Sequence, residues 1–284
     1  MFHQTLHINI DYAELGIEKI GSFQPTLDCY VPYNTRVPAA KRPSVIICPG
    51  SGYVDPCPRE AEPIALGFME QGFNAFVLWY STTKEDMTSR FPGSLLELAL
   101  SVATVREHAE EWWADPDKIM VCGFSAGGHL AASLGTLWNT DLVKDALGFY
   151  NGEHRPNGMI LAYPVILSTI HGDLAHHGSF HALLGDKAND RELLELLSLE
   201  RQVTDDTPPA FLWHTREDNA VPVRNSLEFA TAMANAGRPF EMHIFPYGPH
   251  GIGRGDDMTS VDGRNNHPEC HGWINLAARW VKNL

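Results

Sequence analysis

The stretch Lys118 to Leu130, K-I-M-V-C-G-F-S-A-G-G-H-L, constrains the chain more than any other. Ile119 to Cys122 is an apolar run suited to a buried strand, and Gly128 to Leu137 is a helix-forming stretch. Between them Gly123-Phe124-Ser125-Ala126-Gly127 matches G-x-S-x-G, a strand-to-helix turn so tight that only small residues fit two positions to either side of the serine. Such a turn holds Ser125 in a strained backbone conformation and sets its hydroxyl at a helix N-terminus, where free N–H groups and the helix dipole favour negative charge. Five-residue patterns also occur as plain glycine-rich turns, so the rest of the chain must supply an oxyanion site, an acid and a histidine.

The pattern around this turn is α/β. His3, Thr5, His7 and Asn9 alternate with Gln4, Leu6, Ile8 and Ile10, and Thr26 to Tyr33 is also extended, so the chain is expected to open with an antiparallel pair. Buried strands are expected at Ser44 to Cys48, Asn74 to Tyr80, Met159 to Tyr163, Ala210 to His214 and Glu241 to Phe245. Helical spacing covers Arg59 to Gly72, then Leu95, Leu98, Val102, Val105, Ala109 and Trp112, with Asp115-Pro116-Asp117 as the break. Further helices are expected at about Val223 to Ala236 and at Trp273 to Val281. Strand and helix alternate from residue 44 onward, which implies a mainly parallel sheet covered on both faces. With no repeat, low-complexity tract or dividing linker, residues 1–284 read as one domain.

Val165 to Thr204 departs from the alternation. It holds His171, His176, His177 and His181 and a helical stretch from Asp190 to Leu199, and an insertion after a strand end would overhang the site as a lid or substrate-shaping segment. His177 and His181, four apart, could face one way on a helix and bind a metal, yet no carboxylate joins them, so a solvated polar loop is the expected reading and no metal site is expected.

Composition removes several function classes. The formal charge is −14, from 21 Lys+Arg against 35 Asp+Glu, with no basic cluster to track a phosphate backbone, so nucleic acid is not an expected partner. Met1-Phe2-His3-Gln4-Thr5 begins no signal-like segment, and nowhere do about 18 apolar residues run together. A soluble, cytoplasmic chain with no membrane partner is expected. Cys29, Cys48, Cys57, Cys122 and Cys270 show neither disulfide nor zinc spacing, and Cys57, between two prolines, is the expected exposed thiol.

The remaining groups follow strand ends. Pro49-Gly50-Ser51-Gly52-Tyr53 follows the strand at 44–48, where small residues let N–H groups converge on an oxyanion, although a plain Gly/Pro turn reads the same way. Thr215-Arg216-Glu217-Asp218 follows the strand at 210–214; Asp218 is the candidate acid and Glu217 its competitor, with Val221-Pro222 opening the next helix. Pro246-Tyr247-Gly248-Pro249-His250-Gly251 follows the strand at 241–245, and His250 is the candidate base. Tyr53, Tyr80 and Trp213 could line a substrate pocket or simply pack. Ser125, Asp218 and His250 occur in the order nucleophile, acid, histidine, with room between them for the intervening strands and helices.

These motifs resemble the α/β-hydrolase superfamily over about residues 25–284, and within it the small bacterial esterases grouped with acetyl-xylan esterases and esterase/lipase proteins. Pro49 to Tyr53 is similar to their oxyanion segment, Gly123 to Gly127 to their elbow, Asp218-x-x-Val221-Pro222 to their acid loop and Gly248-x-His250-Gly251 to their histidine loop. The resemblance implies an α/β-hydrolase fold, with a mainly parallel eight-stranded sheet, an antiparallel N-terminal pair and helices on both faces. It also implies a Ser-His-Asp carboxylesterase without metal or cofactor. The oxyanion donors would be Ala126, Ser51 and Gly52. Ser51 replaces the middle glycine of the segment, and the helical N-terminal cap of the hormone-sensitive-lipase group is missing from residues 1–33. That favours short acyl chains, with acetylated sugars or xylo-oligosaccharides as the alcohol side. A prolyl-oligopeptidase-type peptidase and a non-catalytic ligand-binding module remain the alternatives, and homo-oligomerisation through the N-terminal strands is compatible with such a chain.

Overall fold

Central strands that are apolar at every position need cover on both faces, and the computed structural model provides it. It describes residues 1–33, 40–84, 88–260 and 262–284. The strands are β1 (Phe2–His7), β2 (Lys19–Ile20), β3 (Thr26–Val31), β4 (Arg42–Cys48), β5 (Asn74–Trp79), β6 (Thr88–Ser89), β7 (Ala114–Phe124), β8 (Gly158–Ala162), β9 (Ala210–Thr215) and β10 (Phe240–Phe245). The helices are α1 (Glu62–Glu70), α2 (Gly93–Glu107), α3 (Ala126–Leu137), α4 (Asp141–Leu147), α5 (His177–Leu184), α6 (Arg191–Leu196), α7 (Arg224–Asn235) and α8 (Trp273–Asn283).

Eight strands form one sheet in the order β1-β3-β5-β4-β7-β8-β9-β10. β3 runs antiparallel to both β1 and β5, and every other pairing in the sheet is parallel. Strand parity divides the core in two. Val45, Ile47, Met120, Cys122 and Phe211 pack with residues of α1 and α8 on one face, whereas Ile46, Cys48, Ile119, Val121 and Leu212 pack with α2, α3 and α7 on the other. α3 is buried at all twelve positions, so its A-G-G-H-L-A-A-S-L-G-T-L sequence shows no polar face and relies on small residues for close packing.

Boundaries differ from expectation where local chemistry intervenes. β1 stops at His7 because Pro25, next in the β1–β3 register, accepts the Ile8 N–H at 2.8 Å but has no N–H of its own to continue the ladder. The helix expected from Arg59 begins as a 3₁₀ turn over Pro58–Glu60 and becomes α-helical only at Glu62, with Pro63 in its first turn. Asp115-Pro116-Asp117, expected to break the helix before the Ser125 strand, comes after α2 has already ended at Glu107. It lies within β7 as an irregularity, since Arg42 pairs with Ala114 while Ser44 pairs with Ile119. α4 and the two-residue pair β2-β6 were not expected.

Residues 165–204 form α5, α6 and three 3₁₀ turns, and α6 is shorter than the expected Asp190 to Leu199. Asp190 caps it by accepting the N–H groups of Glu192 and Leu193, and Ser198 turns the chain out of the helix. The segment is tied to the body at several points. Asn225 Oδ1 of α7 accepts the N–H groups of Ile166 and Leu167, both at 2.9 Å. His129 of α3 places Nε2 3.0 Å from the Leu197 carbonyl and Nδ1 2.9 Å from the Tyr53 hydroxyl, so Nε2–H donates and Nδ1 accepts. One buried imidazole thus joins α3, the loop after β4 and the inserted segment.

Burial pushes the His129 imidazole down from its ordinary 6.5 to about 4. The unfolded chain takes up this proton near 6.5 and the folded chain only near 4, so the stability tied to the neutral ring is complete above pH 6.5 and is lost as pH falls toward 4. Denaturant titrations at about pH 7.5 and 4.5 are expected to differ by roughly 2–3 kcal/mol from this group, with a smaller difference in His129→Gln. Equal differences in both proteins would assign the acid sensitivity elsewhere.

Candidate active site

Ser125 stands between the last residue of β7 and the first of α3 with φ 53° and ψ −117°, a conformation that costs an L residue about 1–3 kcal/mol. The turn is sterically exacting. A Cβ on Gly123 would lie 2.0 Å from the Gly127 carbonyl oxygen, and one on Gly127 would lie 2.1 Å from that of Cys48 at the end of β4. Glycine at both positions lets α3 pack directly on the sheet, and the serine side chain is thrown forward over the C-terminal edge.

The acid and the histidine arrive from β9 and β10. His250 Nε2 lies 2.8 Å from Ser125 Oγ, and its Nδ1 lies 2.6 Å from Asp218 Oδ2. Asp218 is 5% exposed, and its Oδ1 accepts the N–H groups of Ala220 and Val221 at 3.0 and 2.8 Å. Burial opposes ionisation of this carboxyl, but hydrogen bonds from His214, His250 and Val221 outweigh it and hold the group well below the usual carboxylate range. Its competitor Glu217 is exposed and turned to Arg216 at 3.5 Å. The Thr215 hydroxyl donates to the Gly248 carbonyl at 2.8 Å, which fastens the histidine loop to the end of β9.

The loop after β4, the expected oxyanion segment, completes the arrangement. Glu60, 3% exposed, accepts the Gly50 N–H at 2.8 Å through Oε2 and the Tyr163 hydroxyl at 2.7 Å through Oε1. That bond commits Gly50 away from the serine, while the N–H groups of Ser51, Gly52 and Ala126 meet no acceptor among the described residues. Ser51, Gly52, Ser125 and His250 open on a common cavity of about 370 Å³.

A strained serine between two obligate glycines, in line with a histidine and a buried carboxylate on a sheet of this order, agrees with what comparison with known proteins finds. The BD-FAE family description matches residues 27–233. The chain belongs to this family of α/β-hydrolase esterases. It is 40% identical over 243 residues to endo-1,4-beta-xylanase B of Butyrivibrio fibrisolvens, covering 84% of this chain and 36% of that protein. It is 30% identical over 231 residues to the acetylxylan esterase of Xylanibacter ruminicola, covering 80% and 43%. The chain therefore spans less than half the length of these two relatives. The acetyl ester-xyloside bifunctional hydrolase of Caldicellulosiruptor lactoaceticus superposes with a TM-score of 0.79 at 34% identity, over 99% of this chain and 96% of that one.

Three residues expected at the pocket are elsewhere. Trp213 has the β9 parity that faces α8, where its ring stacks on Trp273 at 5.2 Å, and it is fully buried. Tyr80 is also fully buried and donates its hydroxyl to the Pro49 carbonyl at 2.5 Å. Tyr53 is 3% exposed, edge-on to Tyr80, with its hydroxyl on His129. None of the three lines the cavity at Ser125; they brace the loops that do. Cys57, expected as an exposed thiol, is half-buried in the cavity wall, and burial raises its pKa.

Other residues of the site went unassigned in the sequence. His214 is fully buried behind Asp218, its Nε2 2.9 Å from the Val221 carbonyl and 3.3 Å from Asp218 Oδ2. A carbonyl can only accept, so Nε2 carries a proton there and the acid is flanked by two imidazole donors. Of the histidines in the inserted segment, His176 alone reaches the cavity wall, together with Gly178. Its Nδ1 accepts the Ser179 N–H at the start of α5, which leaves the proton on Nε2, and burial and the neighbouring His250 lower its pKa. His171 pairs with Glu200 at 2.9 Å, and His177 Nε2 lies 3.1 Å from the Gly172 carbonyl. Among the described residues no group of three or more His, Cys, Asp or Glu side chains is gathered to hold a metal ion, and no helix is long and apolar enough to cross a membrane.

Gly127→Ala should cost about 3 kcal/mol or more, because the new Cβ meets backbone rather than a movable side chain. At Gly272 a Cβ would meet nothing within 4 Å, so Gly272→Ala should stay within about 0.5 kcal/mol. Urea denaturation of both variants checks the contrast, and equal stabilities would mean that α3 can shift on β4.

Proposed function

We propose that the chain is a serine carboxylesterase that hydrolyses short-acyl, acetyl-type esters through a Ser-His-Asp acyl-enzyme mechanism, with acetylated sugars or xylo-oligosaccharides as the alcohol side. The observation that carries this reading is the line from Ser125 Oγ through His250 to Asp218, at 2.8 and 2.6 Å, beside free N–H groups at Ser51, Gly52 and Ala126. His250 Nε2 takes the Ser125 proton as Oγ attacks the ester carbonyl, and Asp218 holds the Nδ1 proton and stabilises the imidazolium. The N–H groups of Ala126 and of Ser51 or Gly52 receive the charge that develops on the carbonyl oxygen. His250 then passes its proton to the departing alcohol, and water repeats the cycle to release the acid. Each step draws on the chain's own groups.

Short acyl chains are favoured because, among the described residues that line the cavity, Val54 is the one aliphatic side chain larger than alanine, which leaves little apolar surface for a long chain. The sugar assignment is supported by the named activities of the Xylanibacter and Caldicellulosiruptor relatives.

Hydrolysis of p-nitrophenyl acetate, butyrate and octanoate should be fastest with acetate, and Ser125→Ala should lower kcat by at least about 10³-fold. Faster cleavage of octanoate would overturn the short-acyl assignment, and an inert wild type would overturn the esterase reading. The acid has its own test. Asp218→Asn should lower kcat by about 10³- to 10⁴-fold while the fold is kept, whereas Glu217→Gln, exposed and away from His250, should change it by less than about twofold. The reverse ranking would make Glu217 the acid.

A further inference from the structure

Among the groups that line the cavity, Arg59 has no task in the steps above. It lies in the loop between β4 and α1, and its side chain shares the cavity with Ser125 and His250. Its Nε is buried without a hydrogen-bond partner, and no carboxylate of the described residues pairs with the guanidinium. Several other arginines of this acidic chain are paired with carboxylates, among them Arg191 with Glu195, Arg224 with Glu228, Arg254 with Asp256 and Arg264 with Asp262. The adjacent carboxylate, Glu60, is already committed through both oxygens to Gly50 and Tyr163. An arginine held partly out of water without a counter-ion is costly unless an anion arrives to meet it.

The position indicates which part of a substrate would carry that anion. Arg59 Nη2 lies 3.3 Å from where a Cβ on Gly251 would stand, so the guanidinium flanks the residue that follows His250. His250 delivers the proton to the leaving oxygen, and the alcohol portion therefore sits on this side of the serine. The guanidinium fork suits a planar carboxylate. A doubly charged phosphate would suit this wall less well, since the Glu60 carboxylate also lines it.

We propose that Arg59 is a specificity-determining residue that binds a carboxylate on the alcohol side of the ester, so that the site prefers acyl esters of acidic alcohols such as uronic-acid-bearing sugars. This rests on the esterase reading and narrows its substrate class.

The test compares 4-acetoxybenzoate with its uncharged counterpart, methyl 4-acetoxybenzoate, and, for an acyl-side charge, mono-4-nitrophenyl succinate with 4-nitrophenyl butyrate. In Arg59→Gln the ratio of kcat/KM for 4-acetoxybenzoate over the methyl ester should fall by about 10-fold or more, chiefly through KM. Arg59→Lys should restore part of it, and the succinate-to-butyrate ratio should move by less than about twofold. An unchanged first ratio overturns the proposal, and a fall confined to the succinate pair overturns the alcohol-side assignment. Melting curves accompany the kinetics: lost stability with an unchanged ratio would mean that Arg59 only offsets the Glu60 charge, which also overturns it. A wild type that leaves the methyl ester intact would sink the esterase reading instead. Calorimetry then judges Arg59 separately, with 4-acetoxybenzoate expected to bind Ser125→Ala at least about 10-fold more tightly than Ser125→Ala/Arg59→Gln, and equal affinities counting against it.

Discussion

The contact on which the site depends is that of α3 with the C-terminal end of β4, where the Gly127 backbone lies so close to the Cys48 carbonyl that no side chain could stand between them. From that approach follow the positive φ of Ser125, the exposure of its hydroxyl at the sheet edge, and the free N–H of Ala126 at the first turn of α3. The strain of about 1–3 kcal/mol at the serine is sustained by what surrounds it. The Ser125 N–H is bonded to the Ala162 carbonyl, its own carbonyl accepts from His129 and Val165, and α3 is buried along its length. Relaxing the serine would break bonds to β8, to α3 and to the start of the inserted segment together.

A second constraint keeps the loops in register with that serine. Gly50 donates to Glu60, Tyr163 donates to the same carboxylate, and the Gly253 N–H donates to Tyr163, so one chain of bonds runs from the oxyanion segment to the histidine loop. Bonds to a charged acceptor contribute about 1.5–3 kcal/mol each when the alternative is an unpaired buried group. Burial and the neighbouring Glu60 keep the Tyr163 hydroxyl protonated, so it remains a donor. The Tyr163 ring also stands edge-on to His250 at 5.1 Å. Two segments some two hundred residues apart in sequence are thereby set against one serine by a single tyrosine and a single glutamate.

This explains which parts were legible in the sequence. The elbow could be read because its steric demand is local and leaves glycines at fixed offsets. The sheet could be read because burial on both faces leaves continuous apolar runs such as Val45 to Cys48. Asp218 and His250 could be read because strand ends in a parallel sheet gather at one edge. Glu60, Tyr163, His129 and His214 carry no such mark: their significance lies in partners between 4 and about 100 residues away, and nothing near them in sequence announces those partners. Whether Tyr53, Tyr80 and Trp213 line the pocket or pack could not be read from the sequence for the complementary reason. Proximity to a strand end does not specify which face a side chain takes, and residue parity sends Trp213 beneath the sheet toward Trp273.

The setting of Asp218 shows how such buried residues would serve the proposed chemistry. A carboxylate excluded from water would ordinarily favour its neutral form, in which it would no longer hold a cationic imidazole. Here two backbone N–H groups meet one oxygen, while His250 and His214 approach the other at 2.6 and 3.3 Å. His214 is itself braced, with the Val221 carbonyl at one nitrogen and the Ser226 hydroxyl 2.8 Å from the other. The acid loop and the N-terminal turn of α7 therefore close on the carboxylate as one unit. The orientation of His250 toward Ser125 is thus decided by packing several residues removed from Ser125 Oγ, and the sheet edge supplies a rigid support for a line of three side chains drawn from β7, β9 and β10.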